Sequence, residues 1–186
     1  MQMLKIVVPA NKDLWDEANN KFLSLKKEVS LTLEHSLVSV AKWESKWKRP
    51  YLSNEKMTNE QVIDYIRCMT ISQNIDDLVY YCLSEQNLKD IEEYINDPMT
   101  ATTFSNRMTA QQTAKNEVMT AELIYFYMLA NNVPVEFQKW HLNKLLTLLK
   151  VCAIKNTPPK KMSRRETMAN YAAINKANRA KFHTKG

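Results

Sequence analysis

The alternation of apolar and polar residues near the start of the chain predicts β structure. Leu4–Val8 and residues 21–33 are rich in β-favouring side chains, and within Val29–Leu33 the apolar residues alternate with Ser and Thr at a period of two. From Ser36 onwards the apolar spacing becomes that of a helix. The sequence therefore predicts a small β-hairpin or sheet in about residues 1–34, followed directly by a helix.

Helix signals recur through the middle of the chain. Thr58 and Gln61 form a capping-box pattern ahead of a run of apolar residues, and Ser84 is a second helix-capping residue. Pro50 is expected to end the first helix. Residues 99–113 are rich in Thr and Ser with no clear period, which predicts a loop.

Two apolar segments and a basic segment follow. Residues 116–131 are apolar around the whole helical wheel, which predicts a buried central helix. Glu122 lies among these apolar residues, so we expect a buried carboxylate with a Lys or Arg partner. Residues 135–155 predict one continuous helix of about 30 Å. A Thr-Pro-Pro break then precedes a basic helix, with a capping-box pattern at Ser163 and Glu166.

The composition agrees with a mainly α fold. The only glycine is the terminal Gly186, whereas tight hairpins and sandwiches normally need residues with positive φ. We therefore predict a mainly α protein: a compact helical domain, residues 1–156, with a small N-terminal β-hairpin or sheet, and a basic C-terminal tail or helix, residues 157–186, that could detach.

The same composition excludes several enzyme classes. Without internal glycines the chain cannot build a P-loop, a dinucleotide-binding G-x-G-x-x-G turn or a G-x-S-x-G nucleophile elbow.

The three cysteines form no C-x-x-C, and no histidine has metal-ligand spacing, so we expect reduced thiols, no metal and no cofactor. Cysteine–histidine catalysis stays open, because such groups assemble in space. For His141, however, a hydrogen-bonded core position is expected. We expect neither an export leader nor a membrane-spanning segment.

Charge is concentrated in the tail. The chain has a net charge of +6, and residues 157–186 contain eight Lys or Arg and a single acid, which leaves residues 1–156 at −1. Such a tail could bind an acidic or helical protein, or phosphates. Its two aromatic rings lie far apart in sequence, which disfavours nucleic acid. The candidate binding residues of the tail are Lys160, Lys161, Arg164, Arg165, Lys176 and Arg179.

Tryptophans suggest a second candidate surface. Trp43 and Trp47 lie four residues apart among basic residues, and the predicted last helix of the domain groups Trp140 with Val151 and Ile154 away from its leucine stripe. Tryptophan is enriched in binding hot spots, but its large apolar area serves a core equally well. We take these five residues as candidate partner-binding residues and keep the core alternative open.

The run Trp140-His-Leu-Asn-Lys-Leu-Leu is the most specific of several recognisable segments. The others are residues 33–47, 65–70, 97–104, the remainder of 140–152, 155–162 and 184–186. These segments, which extend over nearly the whole chain, resemble the tail assembly chaperones of long-tailed, siphovirus-like bacteriophages.

The resemblance implies a protein that is not an enzyme. Members of this family bind the long helical tape-measure protein, keep it soluble and assist polymerisation of the tail-tube protein around it. The resemblance also implies residence in the host cytoplasm, absence from the finished virion, and an accompanying longer form made by ribosomal frameshifting. Oligomer formation stays open. The family has no catalytic residues to transfer.

Exposed apolar helices of a client aggregate unless they are covered, and the ten methionines of this chain would suit an adaptable helical chaperone. Two other classes of function remain as alternatives: a structural virion protein of the tail or head–tail region, and a basic nucleic-acid-binding module. An enzyme ranks behind both.

Overall fold

An N-terminal β region and a set of helices make up the chain, in a computed structural model that describes residues 3–16, 21–104, 118–156 and 163–183. The protein is mainly helical with small antiparallel β structure at the N-terminus, which confirms the predicted fold class. It divides into two compact units, Met1–Ile154 and Lys155–Gly186.

Four strands precede the helices. The strands are β1 Leu4–Val8, β2 Asn11–Asp16, β3 Lys21–Leu25 and β4 Val29–Leu33. The helices are α1 Leu37–Trp47, α2 Asn59–Met69, α3 Leu78–Tyr81, α4 Glu85–Asn96, α5 Ala121–Ala130, α6 Leu142–Asn156 and α7 Arg164–Phe182, with a 3₁₀ helix at Val135–Lys139.

The strands pair as two antiparallel sheets of two strands each. β1 pairs with β4, and β2 pairs with β3. In β4 the predicted alternation is observed, because Leu31 and Leu33 are fully buried whereas Ser30 is exposed. The free edge of β4 is covered by the chain that follows α2, where Ile71 N–H donates to the Thr32 carbonyl at 2.9 Å. The sequence had not marked β2 as a strand.

Local capping fixes several helix starts where the sequence predicted them. The Thr58 hydroxyl accepts a hydrogen bond from Gln61 N–H at 3.3 Å, and the Gln61 side chain accepts one from Thr58 N–H at 3.0 Å. Ser84 caps α4 in the same manner, with Asn87 as its partner. α1 ends at Trp47, where Lys48 takes a left-handed conformation with φ of 54°. These predictions are confirmed.

The single helix predicted for residues 135–155 is wrong. A short 3₁₀ helix ends at Lys139, and Trp140 is extended, so that α6 begins only at Leu142. The interruption has a tertiary cause. His141 forms a β-bridge with Ser36, and Leu142 N–H donates to the His35 carbonyl at 2.9 Å.

The core of the first unit lies where α1 meets its neighbours. α1 packs on α2 and α5, and α4 packs on β1. The largest fully buried side chains come from strands and helices alike: Trp43, Leu31, Leu33, Leu37, Ile66, Met69, Ile124, Met128, Leu142, Leu145, His35 and Val8.

The second unit contains α7. Its described side chains are exposed, except that of Thr167, which is half-buried. The predicted capping box at Ser163 and Glu166 lies partly outside the described residues, because the Glu166 side chain is not among them. The predicted loop at residues 99–113 falls partly outside them, and residues 99–104 form neither helix nor strand.

Candidate partner-binding surface

The most exposed apolar helical surface of the first unit lies on α5. Its inward face contributes Ala121, Ile124 and Met128 to the core. On the opposite face, 61% of Phe126 and 69% of Leu129 are exposed. Glu122, Phe126, Leu129 and Ala130 are all exposed and follow one another at helical spacing. We call these four residues the α5 stripe.

The prediction that this helix is buried on all sides is therefore wrong. Apolar residues do surround the helical wheel, but the face that carries Phe126 and Leu129 is exposed. Glu122 is exposed as well. The predicted buried carboxylate with a Lys or Arg partner is thus corrected, since a solvated carboxylate needs neither.

Glu44 is the acid that is buried next to this helix. It belongs to α1, and only 8% of it is exposed. One carboxylate oxygen accepts a hydrogen bond from Ala121 N–H at 2.8 Å, and the other accepts one from Tyr51 N–H at 2.7 Å. An anion at a helix N-terminus is favourable because the first N–H groups have no partner within the helix. Glu44 therefore anchors the start of α5 and so places the α5 stripe.

Trp43 belongs to the core. Its side chain is fully buried, and its indole N–H donates to the Gln61 carbonyl at 3.0 Å. The ring centroid lies 5.6 Å from that of Tyr51 and 6.5 Å from that of Tyr65. The structure thus decides between the two alternatives at this position, and Trp43 is removed from the set of partner-binding candidates.

Trp47 is half-buried and is held by a polar network. Its indole N–H donates to Asp64 at 2.9 Å, and the buried Asp64 carboxylate also pairs with Lys46 and lies 3.8 Å from Arg67. Burial acts to raise the pKa of Asp64, but the hydrogen bonds from Lys46 and Trp47 and the charges of Lys46 and Arg67 outweigh it, so the pKa is lowered. No sequence signal marked Asp64, because two of its partners come from another helix.

Trp140 lies on the surface but outside the helix to which it was assigned. Its ring is half-buried and stacks on Phe137, with centroids 3.9 Å apart, and the Lys144 ammonium lies 4.5 Å from the indole centroid. Val151 and Ile154 are half-buried residues of α6. Because α6 begins after Trp140, the predicted common helical face of these three residues is corrected.

The basic candidates of the tail are only partly described. Arg164, Arg165, Lys176 and Arg179 are exposed on α7. Lys160 and Lys161 lie outside the described residues. α7 also exposes apolar side chains at one to two helical turns from one another, namely Met168, Tyr171, Ile174 and Phe182.

Two histidines form a buried cluster with tyrosines. The rings of His35 and His141 lie 4.9 Å apart, and His35 Nδ1 shares a hydrogen bond of 2.5 Å with the Tyr65 hydroxyl. His141 Nε2 donates to the Tyr94 carbonyl at 2.9 Å. Burial, and then the neighbouring His141, lowers the pKa of His35 to about 3, and burial also lowers the pKa of His141. His141 is thus the hydrogen-bonded core histidine that was expected.

Two thiols, those of Cys68 and Cys82, are not activated as nucleophiles. Burial raises the pKa of Cys68 and of Cys82, which keeps both protonated at neutral pH.

Within the described residues no group of His, Cys, Asp and Glu side chains is arranged to hold a metal ion. None of the described helices combines the length and the apolar character needed to cross a membrane.

Comparisons with protein-family models, with curated proteins and with solved structures find no match to this chain.

Proposed function

We propose that this chain is a tail assembly chaperone of a long-tailed bacteriophage, which covers amphipathic helical segments of the tape-measure protein in the host cytoplasm and catalyses no reaction. The observation that carries the proposal is the exposure of Phe126 and Leu129 on a helix whose other face is packed in the core. Large apolar side chains at this spacing on a fixed helix are suited to pack against a second helix.

The energetics of the α5 stripe fit such a role. Burial of one Phe or Leu side chain contributes about 1.5–3 kcal/mol, so two of them supply a few kcal/mol before the cost of association is subtracted. That favours a reversible complex, as a chaperone that must leave the finished tail requires. Glu44 holds the first turn of α5 in place, so little ordering is needed on this side of the contact.

The segments that resemble the family meet inside the fold. His35, Tyr65 and His141 each come from a different one of these segments and pack in one cluster. A fourth segment joins them, because the Asn143 side chain donates to the Asp97 carbonyl at 2.8 Å. Four of the resembling segments are therefore in contact with one another.

Co-expression with the tape-measure protein of the same phage tests the proposal. The wild-type chain should raise the soluble yield of the tape-measure protein, and a Phe126→Asp, Leu129→Asp double variant should remove most of that effect. Both side chains are exposed, so the double variant should keep the wild-type melting temperature. The matched control is the double variant Val62→Asp, Leu88→Asp, which places the same two charges on exposed apolar residues of α2 and α4 and should leave the yield unchanged.

A tape-measure protein that stays insoluble with the wild-type chain, or that stays equally soluble with the double variant, contradicts this assignment. Mass spectrometry of purified virions separates the closest alternative. A chaperone should be missing from finished particles, whereas a structural virion protein would be present in a fixed ratio to the tail-tube protein. The same co-expression gives access to the other proposed partners, the tail-tube protein and a longer frameshifted form of this chain.

A further inference from the structure

A cavity of about 210 Å³ lies beside Trp140, at a place that the proposed function does not use. One wall consists of the end of the 3₁₀ helix and the start of α6. The opposite wall is formed by the end of α4 and the chain that follows it. The residues lining the cavity are Glu34, Tyr94, Met99, Lys139, Trp140, His141 and Lys144.

The opposite wall is fixed to α6 by hydrogen bonds. The Asn143 side chain donates to the carbonyls of Ile95 and Asp97, each at 2.8 Å. Asp97 in turn accepts a hydrogen bond from Met99 N–H at 2.7 Å, and Met99 is held at a φ of 50°. Because these hydrogen bonds fix the two walls relative to each other, the shape of the cavity is set by the fold.

Its charge favours an anionic group. Lys139 and Lys144 line the cavity against a single acid, Glu34. Within the described residues neither lysine forms an ion pair, and the Lys144 ammonium lies over the indole of Trp140 at 4.5 Å. α6 begins at this cavity with no acidic residue in its first turn, and the partial positive charge of a helix N-terminus adds to that of the lysines.

We infer that this cavity binds a carboxylate side chain of a helical protein partner. The methylene groups of a glutamate would lie on the Trp140 ring, and its carboxylate would replace the solvent around the two ammonium groups. The volume suits one side chain rather than a cofactor, since cofactor sites usually have volumes of about 300–1,000 Å³. The identity of the partner as the tape-measure protein rests on the proposed function, whereas the chemistry of the cavity does not.

A small probe tests the cavity without a client. N-acetyl-glutamate amide is titrated into the full chain labelled with ¹⁵N, and the indole N–H resonance of Trp140 is followed, with its assignment made from Trp140→Phe. We expect a saturable shift with this compound and none with N-acetyl-glutamine amide, which has the same shape without the charge. Lys144→Gln should weaken binding about fivefold, as loss of one partly exposed ion pair would.

The matched control is Lys150→Gln. Lys150 also lies over an aromatic ring, 4.3 Å from the centroid of Phe104, but does not line the cavity. Equal responses to the two amino-acid amides, or equal effects of Lys144→Gln and Lys150→Gln, would overturn the inference. A shift produced by inorganic phosphate, with the glutamate compound inert, would also overturn it, because the cavity would then be a site for small free anions.

A second measurement separates this inference from the proposed function. If the wild-type chain binds a tape-measure segment, Lys144→Gln should weaken that complex about fivefold and Lys150→Gln should not. If Lys144→Gln binds the segment as tightly as the wild type while the Phe126→Asp, Leu129→Asp variant loses binding, the cavity is not a client site. That result would agree with the chaperone role. If the wild-type chain binds no tape-measure segment, the proposed function fails and the amide titration alone decides on the cavity.

Discussion

The carboxylate of Glu44 accepts a hydrogen bond from the backbone N–H of Ala121 at 2.8 Å, which joins the last turn of α1 to the first turn of α5. The second oxygen of the same carboxylate accepts from Tyr51 N–H. One buried side chain thus satisfies two backbone donors that are far apart in the sequence. The position of the exposed α5 stripe follows from this contact and from the packing of Ile124 and Met128.

Glu44→Gln should therefore destabilise the fold. An amide can accept with only its oxygen, so one of the two backbone donors would face an NH₂ group and lose its partner. We expect a loss of about 2 kcal/mol in the free energy of unfolding, the usual cost of leaving a buried donor unsatisfied. The urea midpoint measures it.

Glu122→Gln is the control for that experiment, because Glu122 is exposed on α5 itself. It should change the free energy of unfolding by less than about 0.5 kcal/mol. If the two variants are equally stable, the Glu44 contact does not anchor α5.

Tryptophan substitutions should separate core from surface. Trp43→Ala removes a fully buried ring and its hydrogen bond to Gln61, so we expect a loss of about 3–5 kcal/mol in stability. Trp140→Ala removes a half-buried ring that stacks on Phe137, and its effect should be clearly smaller. Thermal unfolding followed by circular dichroism measures both. A Trp140→Ala variant as unstable as Trp43→Ala would place Trp140 in the core.

The sequence predicted those elements whose causes are local. The alternation in β4, the capping box of Thr58 and Gln61, and the cap at Ser84 each depend on residues a few positions apart, and all are observed. The start of α6 could not be predicted in the same way. Trp140 leaves the helix because the next residues bond to His35 and Ser36, which lie about a hundred residues earlier in the chain.

The α5 stripe shows a second limit of the sequence. Hydropathy shows that Phe126 and Leu129 are apolar, but whether another part of the chain covers them depends on tertiary packing. The same holds for acids: the helical wheel marked Glu122 as buried, whereas the buried carboxylate is Glu44. Glu44 had a detectable signal, because it occupies an apolar spacing position of α1 next to Trp43. The Lys139–Lys144 cavity had none, since α4 supplies one of its walls.

Acid should begin to destabilise the protein at pH values higher than those at which most carboxylates titrate. The pKa of His35 falls to about 3 in the folded state, from 6.5 in the absence of burial, so below pH 6.5 the unfolded chain binds the extra proton. The contribution of neutral His35 to the free energy of unfolding is therefore complete above pH 6.5. It is lost as the pH falls from 6.5 towards the folded-state pKa of about 3. For His35 alone we expect about 2 kcal/mol less stability at about pH 5 than at about pH 7.5.

His141 should add a loss of the same sign, because its pKa is lowered by burial as well. Urea unfolding at several pH values measures the slope. His35→Asn keeps a hydrogen-bonding group towards Tyr65 but does not titrate, so the variant should show a smaller slope. His183→Asn, at an exposed histidine, should keep the full slope. A wild-type stability that does not change between these pH values contradicts the buried neutral pair.

Removal of the basic tail should leave the helical domain folded. The described side chains of α7 are exposed apart from Thr167, so a chain that ends at Asn156 lacks few described side chains that are buried. We expect its free energy of unfolding to match that of the full chain within about 0.5 kcal/mol. Its charge should change sign, because residues 1–156 sum to −1, so any salt-dependent binding to duplex DNA should disappear. A loss of stability above about 1 kcal/mol would show instead that the tail contributes to the fold of the domain, which would rule out a freely detachable binding element.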